Sequence, residues 1–330
     1  MSNKTEETSA SNDKSTPQGQ GVQWLEVTSG QEGQRLDNFL MSRLKGAPKS
    51  LVYRIIRRGE VRVNKSRAKA DTRLTEGDVV RVPPLRLAPK EAVQEVSENL
   101  SNLLMSSVIA ESEHWMALNK PAGLPVHGGT GVKIGLIEAL RQVRTDLDFL
   151  ELVHRLDRDT SGVILVAKSR EGLLKLSDAI KHKKMDKRYW ALVEGRWPMQ
   201  REWVSAPLQR YEGGNGERRV RVDQQGKRSR TTFRIIETFD QCTLIEASPI
   251  TGRTHQIRVH AAHVGHPLLH DVKYGTHKGM AISNKLSLER LFLHAHSLAF
   301  DDPQSGRRIN LKARLDPALE AVLAVARKAG

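Results

Sequence analysis

Cysteine is almost missing from this chain of 330 residues, with Cys242 the single one. That excludes an intramolecular disulfide, a thiolate metal cage and a CxxC redox pair, and makes a reducing, cytoplasmic setting the expectation. Aromatic residues are scarce at 5%, and few interleave with the basic segments, so stacking on unpaired bases is not the expected mode of nucleic-acid contact. No run approaches the roughly 20 apolar residues that span a bilayer, and the first twenty or so positions lack the apolar stretch of a secretory signal. A soluble protein without membrane contact is expected. Acidic residues are outnumbered: 53 Lys and Arg face 38 Asp and Glu, a formal net charge of +15. Such an excess favours an anionic partner, because cations near a polyphosphate gain Coulomb energy and release condensed counterions.

The length suits two domains. Residues 1–21, rich in Ser, Asn, Gln and Thr, cannot bury enough apolar surface to order themselves and are expected to form a disordered tail. A small domain is expected over 22–84. There Leu36, Phe39, Leu40 and Leu44 recur at helical spacing, and Pro48 to Arg58 forms a second helix with Val52, Ile55 and Ile56 on one face. Gly59 ends it, and short strands follow at Val61 to Val63 and Val79 to Val82 around the turn Glu76-Gly-Asp78. From Arg35 to Lys69 there are eleven Lys or Arg against two acids, Asp37 and Glu60. Lys49, Arg54, Arg57, Arg58, Arg62 and Lys65 are the expected RNA contacts, reading the shape and phosphates of folded RNA. The bland account of the same charges is a solvated face with no ligand.

Residues 85–105 mix Pro, charge and polar side chains and are expected to be a linker. From 106 to 330 short β segments punctuated by Gly and Pro, with a few helices, describe an α+β fold instead of an alternating βαβ one. Asp316-Pro317 supplies an N-cap and first-turn proline for a closing helix over Ala318 to Arg327.

Two constellations in this domain could carry chemistry. His154-Arg-Leu-Asp-Arg-Asp-Thr-Ser-Gly162 runs into the apolar strand Val163 to Ala167, a charged loop on a rigid support. It offers two carboxylates, Asp157 and Asp159, and position alone does not choose between them; capping a turn and pairing with Arg155 or Arg158 would account for both. Thr251-Gly-Arg-Thr-His-Gln-Ile-Arg258 leads into a helix and brings Arg253, His255 and Arg258 together. Arg258 could keep a sheltered carboxylate ionised and oriented. The histidines at 255, 260, 263, 266 and 270 lack the spacing and partners of a zinc site. Gly128 to Gly135 fits no nucleotide-binding motif and reads as a flexible loop at a cleft mouth. No cofactor is indicated.

Arg35-Leu-Asp and the run Pro48 to Lys65 resemble an S4 RNA-binding domain. Asn119-Lys-Pro-Ala-Gly123, the two constellations above and Lys187-Arg-Tyr189 resemble the RluA family of pseudouridine synthases, from about residue 22 to near the C-terminus. The resemblance implies a small S4 domain followed by a mixed, mainly antiparallel sheet with flanking helices. It also implies cofactor-free isomerisation of several uridines in large-subunit (23S) ribosomal RNA after base flipping, by a monomer. Asp157 becomes the catalytic acid and Asp159 a supporting group. Tyr189 would stack on the target base, Arg258 pair with Asp157, and Arg155 fill the space left by the flipped nucleotide, with Arg253 and His255 as further support. One departure is His270-Asp271, where many members have Gly-Asp; it bears on the shape of that loop alone. A non-catalytic, ribosome-associated RNA-binding factor is the rival reading, opposed by the intact Asp157, Tyr189 and Arg258 set. A deaminase would need a Pro-Cys-x-x-Cys metal site, and a methyltransferase a glycine-rich cofactor motif that is not found.

Overall fold

A computed structural model describes residues 21–44, 47–85, 95–128, 134–213 and 217–329. The expected tail, most of the glycine loop and most of the linker's first half lie outside these residues. The chain divides into two compact units between Val93 and Gln94.

The first unit contains β1 (Gln23–Glu26), α1 (Leu36–Arg43), α2 (Lys49–Arg58), β2 (Arg62–Val63), β3 (Ser66–Arg67) and β4 (Val79–Val82), with the strands ordered β1-β4-β2-β3. Its core is where the helical spacing put it: Leu36, Phe39, Leu40, Val52, Ile55 and Ile56 are buried together with Val80 and Val82. Gly59 ends α2 in the left-handed region at φ 70°, its N–H turned back to the carbonyls of Ile55 and Ile56, a conformation open to glycine at little cost. Buried Asp37 ties α1 to α2, accepting from Arg35 at 2.7 and 3.1 Å and from the Tyr53 hydroxyl at 3.1 Å. The Arg35 guanidinium, the first cause, holds the Asp37 carboxyl below the usual carboxylate range.

In the second unit the elements run α3 (Glu98–Ser106), β5 (Val108–Glu111), β6 (Trp115–Lys120), α4 (Leu136–Val143), β7 (Glu151–Leu152), β8 (Ser161–Ala167), α5 (Arg170–Lys181) and β9 (Asp186–Glu194). They continue as β10 (Trp203–Ser205), β11 (Leu208–Glu212), β12 (Arg218–Val222), β13 (Arg230–Thr238), β14 (Cys242–Pro249) and α6 (Gln256–His263), closing with α7 (His277–Lys285), β15 (Leu293–Asp301), β16 (Arg308–Lys312) and α8 (Pro317–Lys328). One sheet follows the order β10-β13-β14-β9-β15-β8-β6-β5, with β16 added to β15 and β7 to β8, while β11 and β12 form a separate hairpin. Pairing is antiparallel except between β15 and β8, so the fold is the expected α+β arrangement around a mixed, mainly antiparallel sheet.

The stretch 85–105 is not a linker throughout, which corrects the expectation. Leu85 is buried in the first unit's core, and α3 occupies much of the second half. The Ser97 hydroxyl caps α3 by accepting the Leu100 N–H at 3.3 Å, and Val96, Leu100 and Leu104 pack against Leu118, Leu136 and Leu140. A capped, four-residue apolar spacing outweighs the polar residues between.

The strand β8 is buried along its whole length and splits its neighbours. It pairs with β15 at Ser161 and Gly162, and with β7 at Val166 and Ala167. In the gap runs the segment 153–160. Val153 donates its N–H to the Leu165 carbonyl at 3.1 Å, and His154 Nε2 accepts the Leu165 N–H at 3.1 Å. An imidazole thus stands in for a missing strand, which requires an unprotonated Nε2; burial, with the Lys187 charge as the lesser cause, pushes His154 down to about 4.

Candidate active site

The loop between β7 and β8 carries Asp157 and is pinned from below. Lys120, at the end of β6 and wholly buried, donates to the carbonyls of Pro121 and Leu124 at 2.8 Å and of Arg158 at 3.0 Å. Three acceptors match the three protons of an ammonium. Burial pushes Lys120 down to about 7, opposed by the charges of Asp159 and Asp157. The Arg158 carbonyl also accepts the Gly123 N–H at 2.9 Å, so the Asn119 to Gly123 motif is a clamp on the loop. Gly162 closes the loop at φ 108°; a Cβ there would stand 2.3 Å from the Ala295 carbonyl oxygen.

Asp157 opens into a cleft of about 260 Å³ whose walls include Arg155, Leu156, Lys187, Tyr189, Arg210, Arg253, His255 and Arg258. The structure therefore gathers Asp157, Arg155, Tyr189, Arg258, Arg253 and His255 in one place, while Asp159, outside the lining, pairs with Arg158 at 3.0 Å. The Asp157 side chain is 24% exposed, with His255 Nε2 at 3.9 Å and Arg258 Nη1 at 4.0 Å. Both contacts exceed hydrogen-bonding distance. Tyr189, near the centre of the sheet on β9, turns its ring into the cleft wall; burial, reinforced by the Asp157 charge, drives its hydroxyl well above the ordinary phenol range, so the ring stays neutral. Arg155 and Arg253 are exposed at the rim.

Arg258 is where geometry departs most from expectation. Its short bonds go to Asp271, Nε at 2.7 Å and Nη2 at 2.6 Å, with both side chains almost wholly buried. Asp157 receives only the remaining nitrogen, at 4.0 Å. A bidentate fork in a buried site is stronger and more directional than one long contact. Desolvation works against the Arg258 charge, and the hydrogen bond and charge of Asp271 more than offset it. Asp271 also accepts the N–H groups of Lys273 and Tyr274 at 3.0 and 3.1 Å. The Tyr274 ring lies 5.1 Å from the Arg258 guanidinium, and its hydroxyl meets His255 Nδ1 at 2.7 Å. Burial lowers the His255 pKa, against the pull of Asp157. The departure at His270 also has a structural counterpart, a φ of 55°, the region that a glycine enters freely.

Asp271 and Tyr274 were missed as site residues because they fall outside the recognised motifs; Gly-Asp in other members was the available signal. Lys187 and Arg210 join the rim unforeseen. Two of the remaining histidines have structural roles: His260 sits between the hydroxyls of Ser229 and Thr231, each at 2.9 Å, and His266 Nδ1 meets the Glu194 carbonyl. Among the described residues no group of three or more His, Cys, Asp or Glu could hold a metal ion, and no helix is long and apolar enough to cross a membrane.

In the first unit Lys49, Arg54, Arg57 and Arg58 are exposed on α2, away from its apolar face. Arg62 is half-buried on β2, and Lys65 is exposed in the left-handed turn before β3. Among the described residues Arg58 alone of these has an acidic neighbour, Glu60 at 3.7 Å.

A mixed sheet holding a loop carboxylate, a buried arginine and a tyrosine in one cleft defines a class, the pseudouridine synthases. The human proteins RNA Pseudouridylate Synthase Domain Containing 4 and Domain Containing 1 share the fold at TM-scores of 0.58 and 0.54, each 25% identical, covering 69% and 66% of this chain and 96% and 86% of theirs. The chain belongs to the RNA pseudouridylate synthase family, whose pattern matches residues 114–263, with an S4 domain matching 34–80. It is similar over most of its length to the ribosomal large subunit pseudouridine synthase C proteins of Pasteurella multocida, 48% identical over 94% of this chain and 95% of that one, and of Yersinia pestis, 49% identical over 93% and 96%. It is an isomerase that turns uridine in RNA into pseudouridine.

Proposed function

We propose that this chain modifies specific uridines of large-subunit, 23S ribosomal RNA, with Asp157 as the catalytic residue. The supporting observation is the geometry around that carboxylate: it lines a cleft bordered by Arg155, Arg210 and Arg253, and among the described residues nothing lies within hydrogen-bonding distance of its side chain. The reaction breaks the bond between N1 of uracil and the ribose C1′, turns the base, and rejoins it through C5. It is an isomerisation, so one carboxylate suffices, acting on C1′ as nucleophile or on a ribose proton as base. A base inside a stacked RNA cannot reach Asp157 unless it is flipped out, at a cost of a few kcal/mol. Tyr189 offers the flipped base a flat neutral surface, Arg155 stands where it can enter the vacated space, and Arg253 and His255 border the sugar. Cationic contacts from Lys49, Arg54, Arg57, Arg58, Arg62 and Lys65 offset the flipping cost by holding folded RNA. In this reading the chain acts as a monomer, and a ribosomal substrate sets the reaction in the cytoplasm.

Two variants separate these roles. Asp157→Asn should bind ribosomal RNA as the parent does yet form no pseudouridine by carbodiimide mapping; full activity would remove Asp157 from the mechanism. Reversing charge at Arg57 and Arg58 should weaken binding and lower the slope of log affinity against log salt by about 2, while leaving turnover on saturating short substrates intact.

A further inference from the structure

The strands β9 and β14 are registered from Glu194↔Cys242 to Tyr189↔Ala247 and then part. Beyond Tyr189, β9 continues along β15 through Arg188, Lys187 and Asp186, while Ser248 stays paired only with Thr232 of β13. A second hollow of about 290 Å³ opens there, bordered by Lys183, Lys184, Ser248 and Arg308. It shares Ile180, Lys187 and Pro249 with the catalytic cleft, so the two hollows lie side by side.

The charges in the hollow are unbalanced. Asp186 is engaged by Arg188 at 2.8 Å and Arg308 by Asp301 at 3.1 Å. The ammonium groups of Lys183 and Lys184 are exposed, and neither they nor Lys187 have an ion-pair partner among the described residues. Burial lowers the pKa of Lys187, which a bound anion would reverse. Lys183 also sits at φ 57° just after α5, a left-handed position that disfavours a lysine. A glycine would end the helix with less strain. Solubility needs no lysine at that position, and favourable interaction with the helix end is available to Lys181 or Lys184.

We propose that this hollow binds the RNA backbone on one side of the flipped uridine, with Lys183 and Lys184 each neutralising a phosphate and Lys187 marking the junction with the catalytic cleft. This rests on the reading that the target uridine enters the cleft at Asp157.

The test uses the full chain, an unmodified 23S ribosomal RNA transcript and a series of potassium chloride concentrations. For K183E/K184E, KM should rise roughly tenfold or more with kcat at saturation unchanged, and the slope of log kcat/KM against log salt should fall by about 2. K183G should lose about one unit of that slope yet melt no lower than the parent, because it removes the charge and relieves the turn. Unchanged KM and slope in both variants would overturn the proposal, as would a fall in kcat with KM unchanged. A parent chain that forms no pseudouridine in the transcript would instead remove the reading of the cleft, and the proposal with it.

Discussion

The carboxylate of Asp157 stands 4.0 Å from a guanidinium whose two short bonds go to another acid. Asp271 therefore holds Arg258 by two short bonds, and in the proposed mechanism Arg258 positions Asp157 as much as it pairs with its charge. Removing one member of a buried pair leaves the other without compensation, at about 3 to 5 kcal/mol. Asp271→Ala should lose stability on that scale in urea unfolding, and whatever remains folded at low temperature should show a lower kcat with a smaller change in KM. An unchanged kcat would mean that Arg258 does not orient Asp157. Asp157, Arg155, Tyr189 and Arg258 were legible as residues of one cleft because each lies within a contiguous motif. Asp271 was not, since its partner is thirteen positions away across a helix end and a left-handed turn, and nothing in residue spacing announces a contact of that kind.

Among the elements, β8 and its entry at Gly162 impose the strictest geometry. The parallel strand β15 approaches so closely that a methyl group at position 162 would overlap the Ala295 carbonyl, and φ 108° is foreign to any L side chain. Gly162→Ala should cost roughly 1 to 3 kcal/mol from backbone strain alone, read as a fall in urea midpoint, and should reduce kcat because the displaced backbone carries the Asp157 loop. The strand itself was readable from its apolar run, and α8 from its Asp-Pro start; the Asp316 side chain does accept the Leu319 N–H, at 2.9 Å. The helix α3 was overlooked because its polar residues dominate a composition reading, although Ser97 and the spacing of Val96, Leu100 and Leu104 were there to be used. The split of β8 between β15 and β7 had no sequence signal, since pairing partners far apart in the chain leave no local period.

At the scale of the whole molecule, acid should be the most revealing perturbant. His154 and His294 are each pushed by burial down to about 4, and each serves as an acceptor or a fixed link: His154 for the Leu165 N–H, His294 between Ser161 and the Ala313 carbonyl. Between pH 4 and the ordinary value of 6.5 the unfolded chain binds more protons at these sites than the folded one. Stability should therefore rise with pH across that window and fall on acidification, by up to roughly 3 kcal/mol per histidine. Chemical unfolding at pH 7 and at pH 5 checks the sign; equal midpoints would show that neither imidazole is held neutral. Two domains were expected in advance from chain length and from the helical apolar spacing over 36–56, whereas the place where one unit ends depended on the packing of Leu85 and α3.

The neutralised pair of Arg258 and Asp271, beneath a rim of Arg155, Arg210 and Arg253, divides recognition by depth. Uncharged base and sugar meet an interior with little net attraction for anions, while polyphosphate is drawn to the margin. A nucleoside supplied without its chain would have nothing for that margin to grip, and so should visit the cleft too briefly to compete with RNA.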